Sequence, residues 1–271
     1  MTPDVGLLEL AAVAVLVLLS GAIGLVLQLG ITRSLLIAAL RSVVQLGLLG
    51  LLLDRLFAVE HPAWVLLWLT VMVVAATRAA LARPAYRVPG AAPLAFFGLA
   101  LTALATTFAV TAGVLQTEPW WQPRVVVPLC GMLLGNALNG IALTLDSLLS
   151  TLRAERDAIE LHLALGADRQ EALRGPMRAA LRRGMTPIIN AMSVVGIVSL
   201  PGMMTGQILA GAEPWQAVRW QLVILFMIAG ATTLGSLAVG LAVGARVMTA
   251  DPTLRMDRIL PRDEKVLAQT K

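Results

Sequence analysis

The side chains best able to do chemistry in this sequence are polar groups that interrupt long apolar stretches. They form three groups: Arg41 with Gln45, Asn136 with Asn139, and the stretch Pro201, Gly202, Met203, Met204 and Gln207. Amides, thioethers and carbonyls freed at a proline can bind or pass a solute. A hydrolytic centre needs a nucleophile with its base, or paired carboxylates, deep in the apolar stretches. We therefore expect no catalytic residue, and these positions are candidates for a path or gate.

Asn136 and Asn139 are followed by Gly140, so the three residues fall at i, i+3 and i+4 on one helix face. Two interpretations are open. The amides line a path for a solute, or they form hydrogen bonds between helices that the small residues Gly131, Gly135 and Gly140 bring close together.

Arg41 lies in the middle of an apolar stretch, where its charge costs a few kcal/mol, about 2.5 to 3.5 on insertion scales. It therefore requires a polar partner or water. We expect it to pair with a helix-end carbonyl or with Glu9, or to face a water-filled cavity.

The stretch after Pro201 brings Met203 and Gln207 to one helix face, at i and i+4. Soft thioethers suit Cu(I), whereas iron prefers oxygen and imidazole ligands. The only histidines, His61 and His162, fall outside the apolar stretches, and no His, Cys, Asp and Glu cluster has ligand spacing. The metal ligands are unknown from sequence, and any metal would pass transiently through amides, carbonyls and water.

The composition explains why these polar residues are so few. The 271 residues are 58% hydrophobic and 14% charged, with a mean hydropathy of +0.82, which is typical of a membrane protein and excludes a disordered chain. Neither lysine, Lys265 or Lys271, follows a glycine as a phosphate-binding loop requires, so the chain is not itself a P-loop ATPase. Its basic residues lie between apolar runs, which argues against a nucleic-acid partner.

The pattern predicts an all-α protein with one domain over residues 1–271, embedded in the bilayer. Runs of about 20 apolar residues predict membrane-spanning helices. Seven occur: Val5–Leu27, Ser34–Leu53, Pro62–Leu81, Ala91–Leu115, Val125–Leu149, Thr186–Leu209 and Arg219–Val247. Arg78, in the last turn of the third run, leaves open whether that run crosses completely.

Charge predicts the orientation of these spans. All of the 21 basic residues except Arg41, Arg55, Arg124 and Arg219 lie on one side if the N-terminus is outside, and this side should be cytoplasmic. Tryptophans mark the predicted outer boundary at residues 64, 120, 121 and 215. The start of the chain lacks a basic region, so we expect the first span to remain as an anchor. The tail 249–271 is predicted to be a short polar helix or a frayed end.

A polar segment, 150–185, separates the fifth and sixth runs and predicts a helix-turn-helix. Gly166 can end the first helix in a left-handed turn, and Asp168 with Glu171 forms a capping-box pattern that begins the second. We expect Gly175-Pro176 to break the second helix and Thr186-Pro187 to begin the sixth span.

The turn resembles the coupling motif of ABC-transporter permeases. Glu160 lies six residues before Gly166, as in that motif, although Leu161 and His162 replace the alanines common in it. The resemblance implies that an ATPase subunit contacts Glu160, Ala164, Leu165, Gly166 and Ala167. Without it, the same residues describe a solvated helix with an ordinary glycine end.

Two longer stretches narrow the resemblance: residues 131–140, GMLLGNALNG, and residues 200–211, LPGMMTGQILAG. With the loop between them, they resemble the bacterial iron-export ABC permease family, whose relatives include the plant aluminium-sensitivity permeases. The resemblance implies a homodimeric permease in the bacterial inner membrane, with ATP-Mg bound by a separate ATP-binding subunit and no cofactor in this chain. Its cargo would be a metal cation such as iron. The alternatives are an ABC permease for a nucleotide-sugar or another small solute, a secondary transporter driven by an ion gradient, and a membrane scaffold that transports nothing.

Overall fold

A computed structural model describes residues 6–59, 61–248 and 253–262 of the chain. Their contacts divide the chain into two units, Met1–Val59 and Glu60–Lys271. Most of the described residues are helical. The α-helices are α1 Leu7–Val26, α2 Thr32–Ala58, α3 Pro62–Ala82, α4 Ala91–Phe108, α5 Pro123–Ala154, α6 Arg156–Ala164, α7 Arg169–Val194, α8 Gly202–Leu209 and α9 Pro214–Val247.

Six helices in the described part of the chain are long and apolar enough to cross a membrane: α1, α2, α3, α4 with a π-helical turn that extends it to Val114, α5 and α9. They correspond to the predicted spans one to five and seven. α3 continues to Ala82, so Arg78 does not shorten it.

The predicted sixth span, Thr186–Leu209, is interrupted next to Pro201-Gly202, as the freed carbonyls expected at that proline require, but its predicted start at Thr186 is wrong. α7 ends at Val194, residues 195–201 form a loop with a bridge between Val195 and Ser199, and α8 begins at Gly202. The predicted breaks are wrong as well, because α7 runs through both Pro176 and Pro187. Neighbouring helices can support a helix that contains proline, so a proline alone does not end it.

The first unit is a pair of helices joined by a short turn. The Thr32 hydroxyl donates a hydrogen bond to the Gly21 carbonyl over 3.0 Å. A Cβ on Gly24 would lie 2.7 Å from the Thr32 hydroxyl. Small residues therefore allow α1 and the start of α2 to approach closely.

α5 is the central helix of the second unit and packs against α3, α4, α7 and α9. Its apolar side chains make much of the core, with Leu133, Ile141, Leu148 and Leu152 almost fully buried. Most of the buried residues of the unit belong to one cluster that α5 shares with α3, α4, α7 and α9. α5 is therefore held on several sides within a single chain.

α7 runs antiparallel to α9. A Cβ on Gly244 would lie 3.3 Å from Leu173, and one on Gly240 would lie 3.0 Å from the Met177 sulfur. Further along, the Thr233 hydroxyl donates to the Met185 sulfur over 3.2 Å. α8 continues the contact with α9 after the loop, so residues 169–209 follow α9 back along most of its length.

The arginine-rich end of the second unit, where α3, α5 and α9 end and α4 and α7 begin, carries two short strands. β1, Tyr86–Arg87, pairs antiparallel with β2, Leu260–Pro261. The mostly helical structure agrees with the all-α prediction, to which this strand pair adds one short sheet. In place of the predicted polar helix or frayed end, residues 253–262 of the tail form a one-turn 3-10 helix, Met256–Arg258, and a strand. Residues 249–252 and 263–271 of that tail, including Lys265 and Lys271, lie outside the described residues.

Candidate coupling segment and membrane path

The coupling segment, Glu160–Ala167, comprises the end of α6 and the turn that follows. Ile159 and Leu163 bury one side of α6, while Leu161 and Leu165 are 59% and 76% exposed. These two leucines lie at i and i+4, so they form one apolar patch. Glu160 lies beside the patch and pairs with Arg156 over 2.8 Å, which raises the pKa of Arg156.

Two backbone hydrogen bonds close the turn after α6. Ala167 N–H donates to the His162 carbonyl and Gly166 N–H to the Leu163 carbonyl, over 3.1 and 3.0 Å. This is a Schellman motif, and Gly166 takes the left-handed conformation that it requires, with φ +95°. The exposed patch is therefore held at a defined angle to α7.

α7 begins with the predicted capping box. The Asp168 carboxylate accepts from Glu171 N–H over 2.8 Å, and the Glu171 carboxylate accepts from Asp168 N–H over 3.0 Å. Both interactions satisfy backbone donors that a helix start otherwise leaves unpaired.

α5, α7 and α9 meet closely at Gly140 and Gly184. A Cβ on Gly184 would lie 2.7 Å from the Gly140 carbonyl oxygen, and one on Gly140 would lie 3.1 Å from the Ser236 hydroxyl. We call this contact the three-helix crossing. Gly184 was missed by sequence reasoning, although Ala180 four residues earlier makes the small-xxx-small spacing that could have indicated it.

Three buried hydroxyls surround the crossing: Thr144 on α5, and Thr232 and Ser236 on α9. None of the three has a hydrogen-bond partner in the part of the chain that the structure describes. A buried hydroxyl without a partner is unfavourable. The crossing thus combines close backbone contact with hydroxyl groups that have no hydrogen-bond partner among the described residues.

The two predicted amides lie in different environments. Asn136 is exposed, and its side chain donates back to the Met132 carbonyl of the same helix over 2.8 Å. Asn139 is half-buried and accepts a hydrogen bond from Arg83. Gly140, beside Asn139, is buried. Gly140 therefore serves close packing between helices. Asn139 links α5 to the connection between α3 and α4.

Further contacts hold the arginine-rich end together, and sequence reasoning missed them because they join distant residues. Asp146 accepts from Ala85 N–H over 2.8 Å, and Arg246 donates to the Pro89 carbonyl over 2.8 Å. Arg153 stacks over the Tyr86 ring, with 5.2 Å to its centroid, and donates to the Ile259 carbonyl.

The third group of path or gate candidates, Pro201 to Gln207, lies at the start of α8 and within it. Pro201 is the N-cap of α8, and its carbonyl accepts from both the backbone and the hydroxyl of Thr205. Gly202 and Met204 begin the helix, and Met203 packs against the cluster that contains Ile224 and Leu225. The buried amide oxygen of Gln207 has no hydrogen-bond partner among the described residues.

Arg41 and Gln45 lie on the exposed surface of α2 in the first unit. The Arg41 side chain makes no hydrogen bond or ion pair with another described residue, so the predicted pairing with Glu9 or a helix-end carbonyl is absent there. The third alternative, a water-filled surrounding, stays a prediction.

The described residues contain no group of three His, Cys, Asp or Glu side chains that could hold a metal ion. No resident metal site follows from the described side chains.

The profile of the family described as "Uncharacterised protein family (UPF0014)" matches residues 7–248. The chain is 37% identical over 216 residues to the UPF0014 membrane protein slr1647 of Synechocystis, covering 78% of this chain and 82% of the relative. It is 32% identical over 232 residues to the protein ALUMINUM SENSITIVE 3 of Arabidopsis thaliana, covering 86% and 84%.

A third relative is the probable iron export permease protein FetB of Escherichia coli, 29% identical over 218 residues, covering 78% of this chain and 80% of the relative. No solved structure matches the chain significantly. These relatives agree with the resemblance that the two motifs indicated. The chain therefore belongs to the UPF0014 family of multi-pass membrane proteins, and a probable iron export permease is among the proteins similar to it.

Proposed function

We propose that this chain is the transmembrane permease subunit of an ATP-driven ABC transporter, coupled to a separate ATP-binding subunit that binds ATP-Mg, and that it exports a metal cation such as iron. The observation that carries the proposal is the exposed coupling segment joined by a rigid turn to α7, which continues without a break to the three-helix crossing.

The coupling segment has the surface that such docking requires. Its apolar patch, Leu161 and Leu165, is exposed on a helix of only nine residues whose other side is buried. Exposed apolar groups next to charged ones are typical of a protein contact. Glu160 and Gly166 have the spacing of the coupling motif. This resemblance supports the proposal independently of the geometry.

α7 supplies the connection to the membrane. It is 26 residues long, about 39 Å at 1.5 Å per residue, and its interior prolines do not divide it. A displacement at Asp168 therefore reaches Gly184, where the backbones of α5 and α7 touch. A packed contact of this kind transmits movement because it has little room to deform.

The same geometry supports seven crossings. α7, the loop 195–201 and α8 together follow α9 back from the arginine-rich end, so they form the return crossing that the six long helices lack. With seven crossings, the basic loops assign the N-terminus to the outside of the bacterial inner membrane and the C-terminus to the cytoplasm. The exposed apolar surface of α2 suits burial in the bilayer or against a second copy in a homodimer.

The cargo assignment depends on the relative named as a probable iron export permease. Because the described residues hold no metal-binding group, the cation would be passed by amides and carbonyls such as those of Gln207 and Asn136. A nucleotide-sugar is the competing cargo for the same machinery.

The proposal is tested by association with an ABC ATP-binding subunit from the same organism. Leu165→Gln removes the most exposed leucine of the patch, so we expect loss of co-purification and of ATP hydrolysis stimulated by the permease. Leu200→Gln is a matched control, because Leu200 is 62% exposed but lies in the loop beyond the far end of α7. Equal effects of both variants, or of neither, would contradict the coupling role of the segment.

Vesicles containing the complex separate the remaining alternatives. We expect efflux of iron that requires ATP and is insensitive to collapse of ion gradients. Efflux that continues without the ATPase would identify a secondary transporter, and ATP-dependent movement of a nucleotide-sugar in place of iron would reassign the cargo.

A further inference from the structure

A wide groove runs along α7 beside the end of α9. Its volume is about 1410 Å³, larger than the 300 to 1,000 Å³ of ordinary small-molecule pockets. Its wall carries four arginines at one end and apolar side chains at the other. The arginines are Arg169, Arg174, Arg178 and Arg182, and the apolar residues include Leu181, Met185, Ile189 and Leu241.

The arginines of this groove are not neutralised within the described structure. Arg174, Arg178 and Arg182 are exposed and form a row at i, i+4 and i+8 along α7, and none of their guanidinium groups makes a hydrogen bond or ion pair with another described residue. The two acidic residues of the groove, Asp168 and Glu171, are engaged with each other's backbone in the capping box. A row of unpaired guanidinium groups fits an anion, above all a phosphate.

The height of the row matches the surface of a bilayer. Because Met177 lies against Gly240 and Leu173 against Gly244, Arg174 and Arg178 lie level with the last turns of α9, near Arg246. Arg182 lies one turn deeper, but a helical side chain leans toward its N-terminus, here toward the arginine-rich end. Long arginine side chains extend to the membrane surface in this way. All three guanidinium groups can therefore reach the layer of lipid headgroups.

The apolar part of the groove continues on the membrane side of the arginines. Met185 and Ile189 follow Arg182 on α7, and Leu241 faces them from α9. A ligand that fills both parts must have an anionic head and an apolar tail long enough to lie along this part of α7. Among the occupants with a phosphate, an acidic phospholipid meets both conditions, and a free phosphate meets only the first.

We propose that the α7 groove is a binding site for an acidic phospholipid of the leaflet at the arginine-rich end, with the phosphate held by Arg174, Arg178 and Arg182 and an acyl chain along Met185, Ile189 and Leu241. The bound lipid neutralises arginines that would otherwise face the membrane unpaired. It also covers the face of α7 between the capping box and the three-helix crossing.

The test measures lipid bound to the full-length chain in nanodiscs of phosphatidylcholine with increasing phosphatidylglycerol, by native mass spectrometry after extraction. Each arginine near an anionic surface contributes about fivefold in affinity, so the double variant Arg178→Gln/Arg182→Gln should bind phosphatidylglycerol roughly 25-fold more weakly. The matched control is Arg55→Gln/Arg124→Gln, which removes the same charge from exposed arginines that lie outside the groove and away from the arginine-rich end. We expect the control to change binding less than twofold.

Other outcomes would overturn the proposal. Equal loss in both double variants would indicate non-specific attraction to the bilayer, and competition by inorganic phosphate at the same concentration as the lipid would indicate a free anion. A change in oligomeric mass without a change in lipid binding would make the groove an interface between two copies. If the double variant fails to fold, Arg178→Gln alone should show the fivefold effect while Arg178→Lys retains binding.

Discussion

The helices of the three-helix crossing and α2 differ in how much of their apolar surface is buried. In α5 and α9, half of the most apolar stretch is buried by the rest of the chain, whereas in α2 none of it is buried. The crossing is complete within one chain. α2 exposes Arg41 and Gln45 together with its apolar surface.

Both regions use small residues to bring helices together. Gly21 and Gly24 admit Thr32 at the start of α2, and Gly140 and Gly184 admit each other at the crossing. The difference lies in the polar groups. Thr32 is hydrogen-bonded across its turn, whereas three hydroxyls at the crossing have no partner among the described residues. The close contact of the first unit therefore includes a satisfied hydroxyl, while the crossing retains hydroxyls without partners in its core.

The largest expected effect comes from filling the crossing. Gly184→Val would push side-chain atoms into Thr144 and the Gly140 carbonyl. We expect it to lower the free energy of unfolding by about 3 kcal/mol or more, because packed backbones cannot yield. The fall in Tm in detergent measures this loss.

Gly135→Ala is the control for that substitution, because a Cβ on Gly135 meets no atom within 4 Å. It should leave Tm unchanged or slightly raised, since alanine favours a helix by up to about 1 kcal/mol. If Gly184→Val were as stable as this control, the crossing would not be a tight contact.

On the α2 side of the comparison, Arg41→Leu should favour insertion, by about 2.5 to 3.5 kcal/mol, because it removes a charge from an apolar stretch. We expect the amount of inserted protein to be maintained or increased while transport in vesicles is lost. Ser42→Leu, at the exposed neighbouring position, should preserve both. Unchanged transport by Arg41→Leu would remove this residue from the candidate path.

A smaller effect is expected at the arginine-rich end. Asp146→Ala leaves the Ala85 N–H without its acceptor, which should cost about 1 to 3 kcal/mol of unfolding free energy. Asp146→Asn keeps an acceptor oxygen and should recover most of the stability. Thermal unfolding of the two variants distinguishes loss of the hydrogen bond from loss of the charge.

The smallest effect is expected at the start of α7. Asp168→Ala removes one half of the capping box, at a cost of about 1 kcal/mol. Hydrogen exchange should increase in the first turn of α7 and remain unchanged at Gly184. Increased exchange along the whole helix would mean that α7 is held by its cap and not by the crossing.

Local signals predicted much of this structure. Gly166 and the capping box were readable because a left-handed turn and an N-cap depend on residues within a few positions. Six of the seven apolar runs became long helices for a similar reason, since length and hydropathy alone decide them.

The remaining features depend on distant residues. The prolines of α7 suggested breaks, but packing against α5 and α9 supports the helix through them. The contacts of Asp146 with Ala85 and Asn139 with Arg83 join positions far apart in sequence, and a two-residue strand such as β2 has no periodicity to read.

The central claim is that a continuous α7 connects the coupling segment to the three-helix crossing. Its most direct test is Ala179→Pro, at an exposed position between the two, compared with Gln170→Pro in the first turn, where proline is tolerated. In reconstituted complexes we predict that Ala179→Pro keeps ATPase binding and ATP hydrolysis but reduces cargo efflux per ATP at least tenfold, while Gln170→Pro leaves this ratio unchanged. An unchanged ratio in a folded Ala179→Pro complex, in which hydrogen exchange shows that the new proline opens α7 where Pro176 and Pro187 do not, would contradict the account.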